Sequence, residues 1–154
     1  MSTTTTDRIE KQILLRAPRA RVWRALADSK EFATWFKVAL TEPFRPGARL
    51  KGRVTYPGYE HVMVDMVVET MEPERRFSYR WHPGATEAGV DYSSEPTTLV
   101  EFTLEEVKDG TLLKVVETGF DLIPLPRRAK AFKENEGGWA GQMKAIEEYL
   151  RKNP

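Results

Sequence analysis

Glu117 is the residue whose position makes a chemical demand. The stretch Thr111–Phe120 reads as a strand, and a period of two puts Leu113, Val115, Glu117 and Gly119 on one side of it. A carboxyl among apolar neighbours must find partners or change its protonation. Such a group could orient a polar group on a bound molecule or act as a general base. The plainer alternatives are a strand-end side chain that reaches solvent, or the opposite register with Leu112, Lys114 and Val116 inward, against which Lys114 argues. Phe77, Tyr79 and Trp81 form a second set on one strand face. Tyr and Trp offer an apolar body with a polar tip, which suits the wall of a ligand cavity. Ordinary core packing is the competing reading, and it fits Phe77, nearest the strand start, best. The candidate ligand-contacting set is Tyr56, Met66, Phe77, Tyr79, Trp81, Phe102, Glu117, Trp139 and Met143.

Other chemistry has little raw material. The chain has no Cys, which excludes a disulfide framework, thiolate metal sites and a Cys nucleophile. Of its two His residues, His61 falls opposite Val62 and Val64 and is expected toward solvent, and His82 opens a loop before Pro83. No His or acidic spacing suggests a metal. Ser93-Ser94 has no assignable base. No catalytic residue, metal or cofactor is therefore assigned.

The elements that must carry these residues are legible in outline. Ile9–Leu15 reads as a strand and Arg19–Ala27 as a helix burying Val22, Trp23 and Leu26. A second short helix carries Phe32, Trp35 and Phe36, capped by Asp28 or Ser29. From Val38 the pattern becomes strands, punctuated by turns at Pro46-Gly47, Pro57-Gly58, Pro73-Glu74 and Asp109-Gly110. The polar stretch 82–96 is long for a hairpin connection, which marks it as mobile or functional. After Pro124 and Pro126, residues 127–152 read as one long helix with Phe132, Trp139, Met143, Ile146 and Leu150 on a single stripe. Gly137-Gly138 interrupts it at a cost of about 1 kcal/mol per Gly relative to Ala. That cost implies close packing, a kink or space left for a ligand. The cluster Arg127, Arg128, Lys130 and Lys133 reads as a solvated face, with an anionic headgroup as the alternative.

The expected architecture is α+β: one strand, two helices, six more strands and a long helix. That gives an antiparallel sheet of about seven strands curled around the C-terminal helix. A helix roughly 10–12 Å across cannot fill a wide curved sheet, so a gap between them is expected. Residues 1–7, including the polar MSTTTT, are expected as a disordered tail and 8–153 as a single domain. Lys plus Arg number 24 and Asp plus Glu 23. A net charge of +1 gives no field toward nucleic acid or an anionic membrane. No run approaches the ~20 apolar residues of a membrane span, and the N-terminus lacks the apolar core of a secretory signal. These features point to a cytoplasmic protein that binds no nucleic acid and is not integrated in a membrane.

An ordered series runs through the chain: Ala17-Pro18, Val22-Trp23, Ala25-Leu26, Trp35-Phe36, Pro46-Gly47, Thr111 and Leu113 through Gly119-Phe120, and Gly138-Trp139. It resembles the SRPBCC superfamily of START and birch-pollen-allergen-like domains. Within it, the series is most similar to the group related to the C-terminal domain of the heat-shock-protein-90 ATPase activator. The resemblance spans roughly residues 8–152. It implies the helix-grip fold and an apolar ligand cavity, in a fold that hosts lipid carriers, aromatic cyclases and co-chaperone modules. Ala48 stands where the group often has a second Gly, and the 82–96 loop is distinctive. The chain leaves no room for the separate N-terminal domain of the eukaryotic activator, which argues against a chaperone partner. The reading is a binding protein for a small apolar or amphipathic molecule. A cyclase- or hydrolase-type enzyme in the same cavity and a chaperone-interacting module are the alternatives.

Overall fold

The computed structural model describes residues 7–87 and 89–154. The chain runs β1 (Arg8–Leu15), α1 (Arg19–Ala27), α2 (Ser29–Phe36), β2 (Arg49–Arg53), β3 (Met63–Glu72), β4 (Arg76–Trp81), β5 (Thr98–Val107), β6 (Gly110–Thr118), a 3-10 turn (Phe120–Leu122) and α3 (Leu125–Lys152). The strands form one antiparallel sheet in the order β1-β6-β5-β4-β3-β2. This is the helix-grip arrangement, with six strands rather than seven.

The seventh strand, expected from Val38 onward, shrinks to a bridge between Val38 and Val54. Ala39 N–H still donates to the Arg53 carbonyl (2.8 Å), and Thr55 N–H to that of Lys37 (2.9 Å). Pro43 then denies the segment a ladder donor. Val38, Leu40 and Phe44 are buried nonetheless, so the stretch contributes to the core without pairing as a strand. Gly52 lets it lie so close: a Cβ there would stand 2.2 Å from the Ala39 carbonyl oxygen.

One buried cluster joins the inward face of the sheet to α1, α2 and the α3 stripe. The Asp28 carboxyl caps α2, accepting from the backbone of Lys30 and Glu31. The Trp35 indole donates to the Ala25 carbonyl (2.8 Å) and locks α2 to α1. Glu31 ties both helices to α3, pairing with Arg21 (2.8 Å) and accepting from the Tyr149 hydroxyl (2.8 Å). A register shift between Val68 and Thr70 marks a bulge in β3, which bends that side of the sheet.

Asp7, counted with the tail by the sequence reading, is held in place. Its carboxyl accepts from the backbone of Gly119 and Asp121. The rest of the expected tail, residues 1–6, lies outside the described residues. Among the described residues no helix is long and apolar enough to cross a membrane.

Helix α3 packs on β1, α1, α2 and the 3-10 turn and makes no comparable contact with β2 or β3. The space that one helix cannot fill therefore falls on the β2–β3 side. Replacing Gly52 by Ala is expected to cost about 2 kcal/mol through the clash with the crossing segment, measured as a lowered urea midpoint. Unchanged stability would show that residues 38–40 are not seated on β2.

Candidate functional site

The gap is a cleft of about 1110 Å³. The β2–β3 edge and the turn between these strands form one side, residues 82–87 and 89–93 form the rim, and residues 133–142 of α3 form the other side. Its aromatic wall is Phe36, Trp81 and Trp139, with ring centroids 5.7–6.0 Å apart. Four large apolar side chains exposed on the surface, Tyr56, Tyr59, Met63 and Val90, gather at the mouth.

Directly behind the wall stands Glu117, fully enclosed. Trp139 Nε1 donates to its Oε1 (2.8 Å) and Trp81 Nε1 to its Oε2 (2.7 Å). Thr98 Oγ1 lies 2.5 Å from Oε2, and Asn135 Nδ2 lies 2.9 and 3.1 Å from the two oxygens. These partners are neutral, and they come from β4, β5 and α3 while the carboxyl comes from β6. Hydrogen bonds thus supply what an ion pair would supply elsewhere. The carboxyl fixes Trp81, Asn135 and Trp139, all of which line the cleft.

The sequence-predicted set divides into three groups. Tyr56, Trp81 and Trp139 line the cleft. Glu117 faces inward as expected and touches the wall from behind. Met66, Phe77, Tyr79, Phe102 and Met143 are core side chains that do not line it. Tyr79 packs against Phe32, Phe77, Trp81 and Phe102, and its hydroxyl is buried without a partner. Burial, and after it the charge of Glu117, hold that phenol well above its usual pKa. Thr98 and Asn135 escaped the sequence reading. Asn135 had one usable signal, the four-residue spacing that sets it on the same helix face as Trp139.

The 82–96 loop is tied down at both ends. On the α3 side, Arg127 grips Glu95 (2.6 and 3.0 Å), donates to the Gly84 carbonyl (3.2 Å) and lies over the Tyr92 ring at 4.7 Å. Lys130 pairs with Glu87 at 3.5 Å. On the sheet side, His61 donates from Nε2 to the Thr86 carbonyl (2.9 Å). Arg127 is thus not part of a solvated face: a neighbouring carboxylate and a carbonyl claim it. Arg128 likewise caps the carbonyls of Ile123 and Asp121. Elsewhere in the cleft, Arg49 clasps Asp65 (2.9 and 2.7 Å) and holds its carboxyl below the usual range. No group of three His, Cys, Asp or Glu side chains suited to a metal occurs among the described residues.

The Gly137-Gly138 alternatives also resolve. The helix runs through both without a break, and a Cβ at either would meet nothing within 4 Å. Close packing is excluded; both glycines border the cleft.

The family described as "Activator of Hsp90 ATPase homolog 1-like protein" matches residues 16–151. The chain belongs to this family. No curated protein matches it. Among solved structures, this member of the activator-like family is similar to protein MLL2253 from Mesorhizobium loti (TM-score 0.75, 22% identity), covering 96% of this chain and 98% of that one. It is also similar to DynU16, described as a putative protein of the dynemicin biosynthetic locus (TM-score 0.73, 23% identity), covering 96% of this chain and 48% of that one. The Aha1 dimer from Colwellia psychrerythraea has a TM-score of 0.68 and 15% identity over 93% and 95% of the two chains. At these identities the likeness is one of fold.

Glu117→Gln places an amide NH₂ against side chains that themselves donate. It is expected to lower unfolding free energy by about 2–3 kcal/mol and to shift the Trp81 and Trp139 indole N–H resonances. An unchanged denaturation midpoint would remove Glu117 from this role. Tyr79→Phe deletes an unpartnered buried hydroxyl and is expected to leave stability equal or raise it by about 1 kcal/mol; a loss in thermal unfolding would reveal a partner for the phenol.

Proposed function

We propose that the chain is a binding protein that holds a small apolar or amphipathic molecule in the cleft between sheet and α3. The observation that carries this reading is the wall itself: Phe36, Trp81 and Trp139 face a roomy cleft, and two of the three rings are fixed from behind by one carboxyl. Pre-set aromatic surface binds flat or aliphatic bodies without an ordering cost at the moment of binding. Tyr56 at the mouth and Trp81 and Trp139 in the wall are the proposed contacts. Gly137 and Gly138 leave two positions on the helix side of the cleft without side chains, at a cost in helix propensity that ligand room accounts for.

The same geometry favours binding over chemistry. The inward carboxyl on which an enzyme reading would rest is enclosed and saturated with hydrogen bonds, and it meets the cleft through other side chains. A general base needs direct reach to the proton it takes.

Titration of isotope-labelled protein with lipids, sterols, polyketides and flavonoids is expected to perturb the amides of Gly137 and Gly138 and the indoles of Trp81 and Trp139. Gly137→Ala and Gly138→Ala are each expected to raise stability by about 1 kcal/mol. Gly138→Leu, which fills the space while favouring the helix, is expected to weaken binding at least about tenfold with no loss of stability. Binding that ignores Gly138→Leu, or perturbations confined to other surfaces, would refute the cleft as the site.

A further inference from the structure

Two side-chain amides line the cleft from α3, Asn135 and Gln142, and both are oriented by what lies behind them. Asn135 Nδ2 sits against both oxygens of Glu117, at 2.9 and 3.1 Å. A reversed amide would set its oxygen against those of the carboxyl, so the nitrogen faces Glu117 and the carbonyl faces away from it. Glu117 is enclosed while Asn135 is half-buried, so away from Glu117 is toward the cleft. Gln142 repeats the arrangement. Its Nε2 donates to the Phe36 carbonyl (3.3 Å), an acceptor that settles which end of this amide turns inward. Among the described residues no donor meets Asn135 Oδ1 or Gln142 Oε1. Neither is among the buried side-chain atoms without a partner, which among the described residues are Arg19 Nε, Arg21 Nη1 and the Tyr79 hydroxyl. Both oxygens therefore reach open space.

The spacing adds a second constraint. Asn135, Gly138 and Gln142 stand at i, i+3 and i+7, on one helix face. The two acceptors are about 10 Å apart along the axis; of the two positions between them on that face, Trp139 belongs to the wall and Gly138 has no side chain. The neighbouring indoles offer the cleft no competing donor, since a Trp ring has a single N–H and both are spent on Glu117. The His61 Nε2 donor is likewise occupied, by the Thr86 carbonyl.

Resting on the reading of the cleft as a binding site, we infer that its ligand is an elongated apolar molecule carrying hydrogen-bond donors, hydroxyl or N–H, toward its two ends. Its body lies along Gly138 against the aromatic wall, and its donors meet Asn135 Oδ1 and Gln142 Oε1. The two amides are specificity-determining residues. Glu117 is a positioning residue that acts through Asn135.

A matched pair of probes tests this: 4,4′-dihydroxybiphenyl and its dimethyl ether, which keeps the body and the oxygens but has no donor. The diol is expected to bind at least about tenfold more tightly, by tryptophan fluorescence or calorimetry, since each good hydrogen bond contributes a fraction of that factor or more. In the wild-type protein the diol, and not the ether, is expected to shift the side-chain amide resonances of Asn135 and Gln142, a readout that needs no variant. In Asn135→Leu the two affinities are expected to converge. Equal binding of diol and ether to the wild-type protein overturns the donor selection and leaves the cleft reading standing. If neither probe moves the Trp81 and Trp139 indole signals or the Gly137 and Gly138 amides, the cleft reading itself falls.

Discussion

The structure turns on one buried carboxyl without a counter-ion. Removing Glu117 from water is tolerable only because Trp81, Thr98, Asn135 and Trp139 replace the lost hydration. Those donors come from three other elements, so the requirement constrains how they sit together: β4 and β5 must hold their register with β6, and α3 must dock with one particular face turned inward. Two tryptophans are thereby fixed at their polar tips, and their rings become wall rather than mobile filler. The aromatic character of the cleft and the rigidity of its back side have the same origin.

The void has a different origin. A six-stranded curled sheet is wider than the helix laid in it, and α3 lies toward β1. Two side chains that would narrow the space are missing, at Gly137 and Gly138, although each glycine weakens the helix. Family membership adds the fold, while the relatives are too distant in sequence to lend a ligand.

Much of this was legible in the sequence because it depends on local period. Alternation along β6 turned Glu117 inward, the 3.6-residue stripe of α3 set Trp139, Met143, Ile146 and Leu150 toward the sheet, and turn dipeptides bounded the strands. What was not legible depends on register between distant segments. Trp81 and Trp139 were each recognised, but nothing local says that residues 36 and 22 positions from Glu117 share its carboxyl. Tyr79 looked like wall by alternation, yet its neighbour Trp81 took the cleft because it lies nearer the loop end of β4. The missing seventh strand was lost to the close crossing over Gly52 and to Pro43, a packing detail and a missing donor that alternation does not report.

The loop at the rim of the cleft is tethered unequally. Its two ion pairs with α3 differ in exposure: Arg127 and Glu95 are each 20% exposed, whereas Lys130 and Glu87 are 61% and 63% exposed. Mobile ions screen exposed pairs strongly and enclosed ones weakly. Raising ionic strength therefore weakens the outer tether more than the inner one. The hold of this loop on α3 is thus a property of the salt around the protein as well as of the residues that make it.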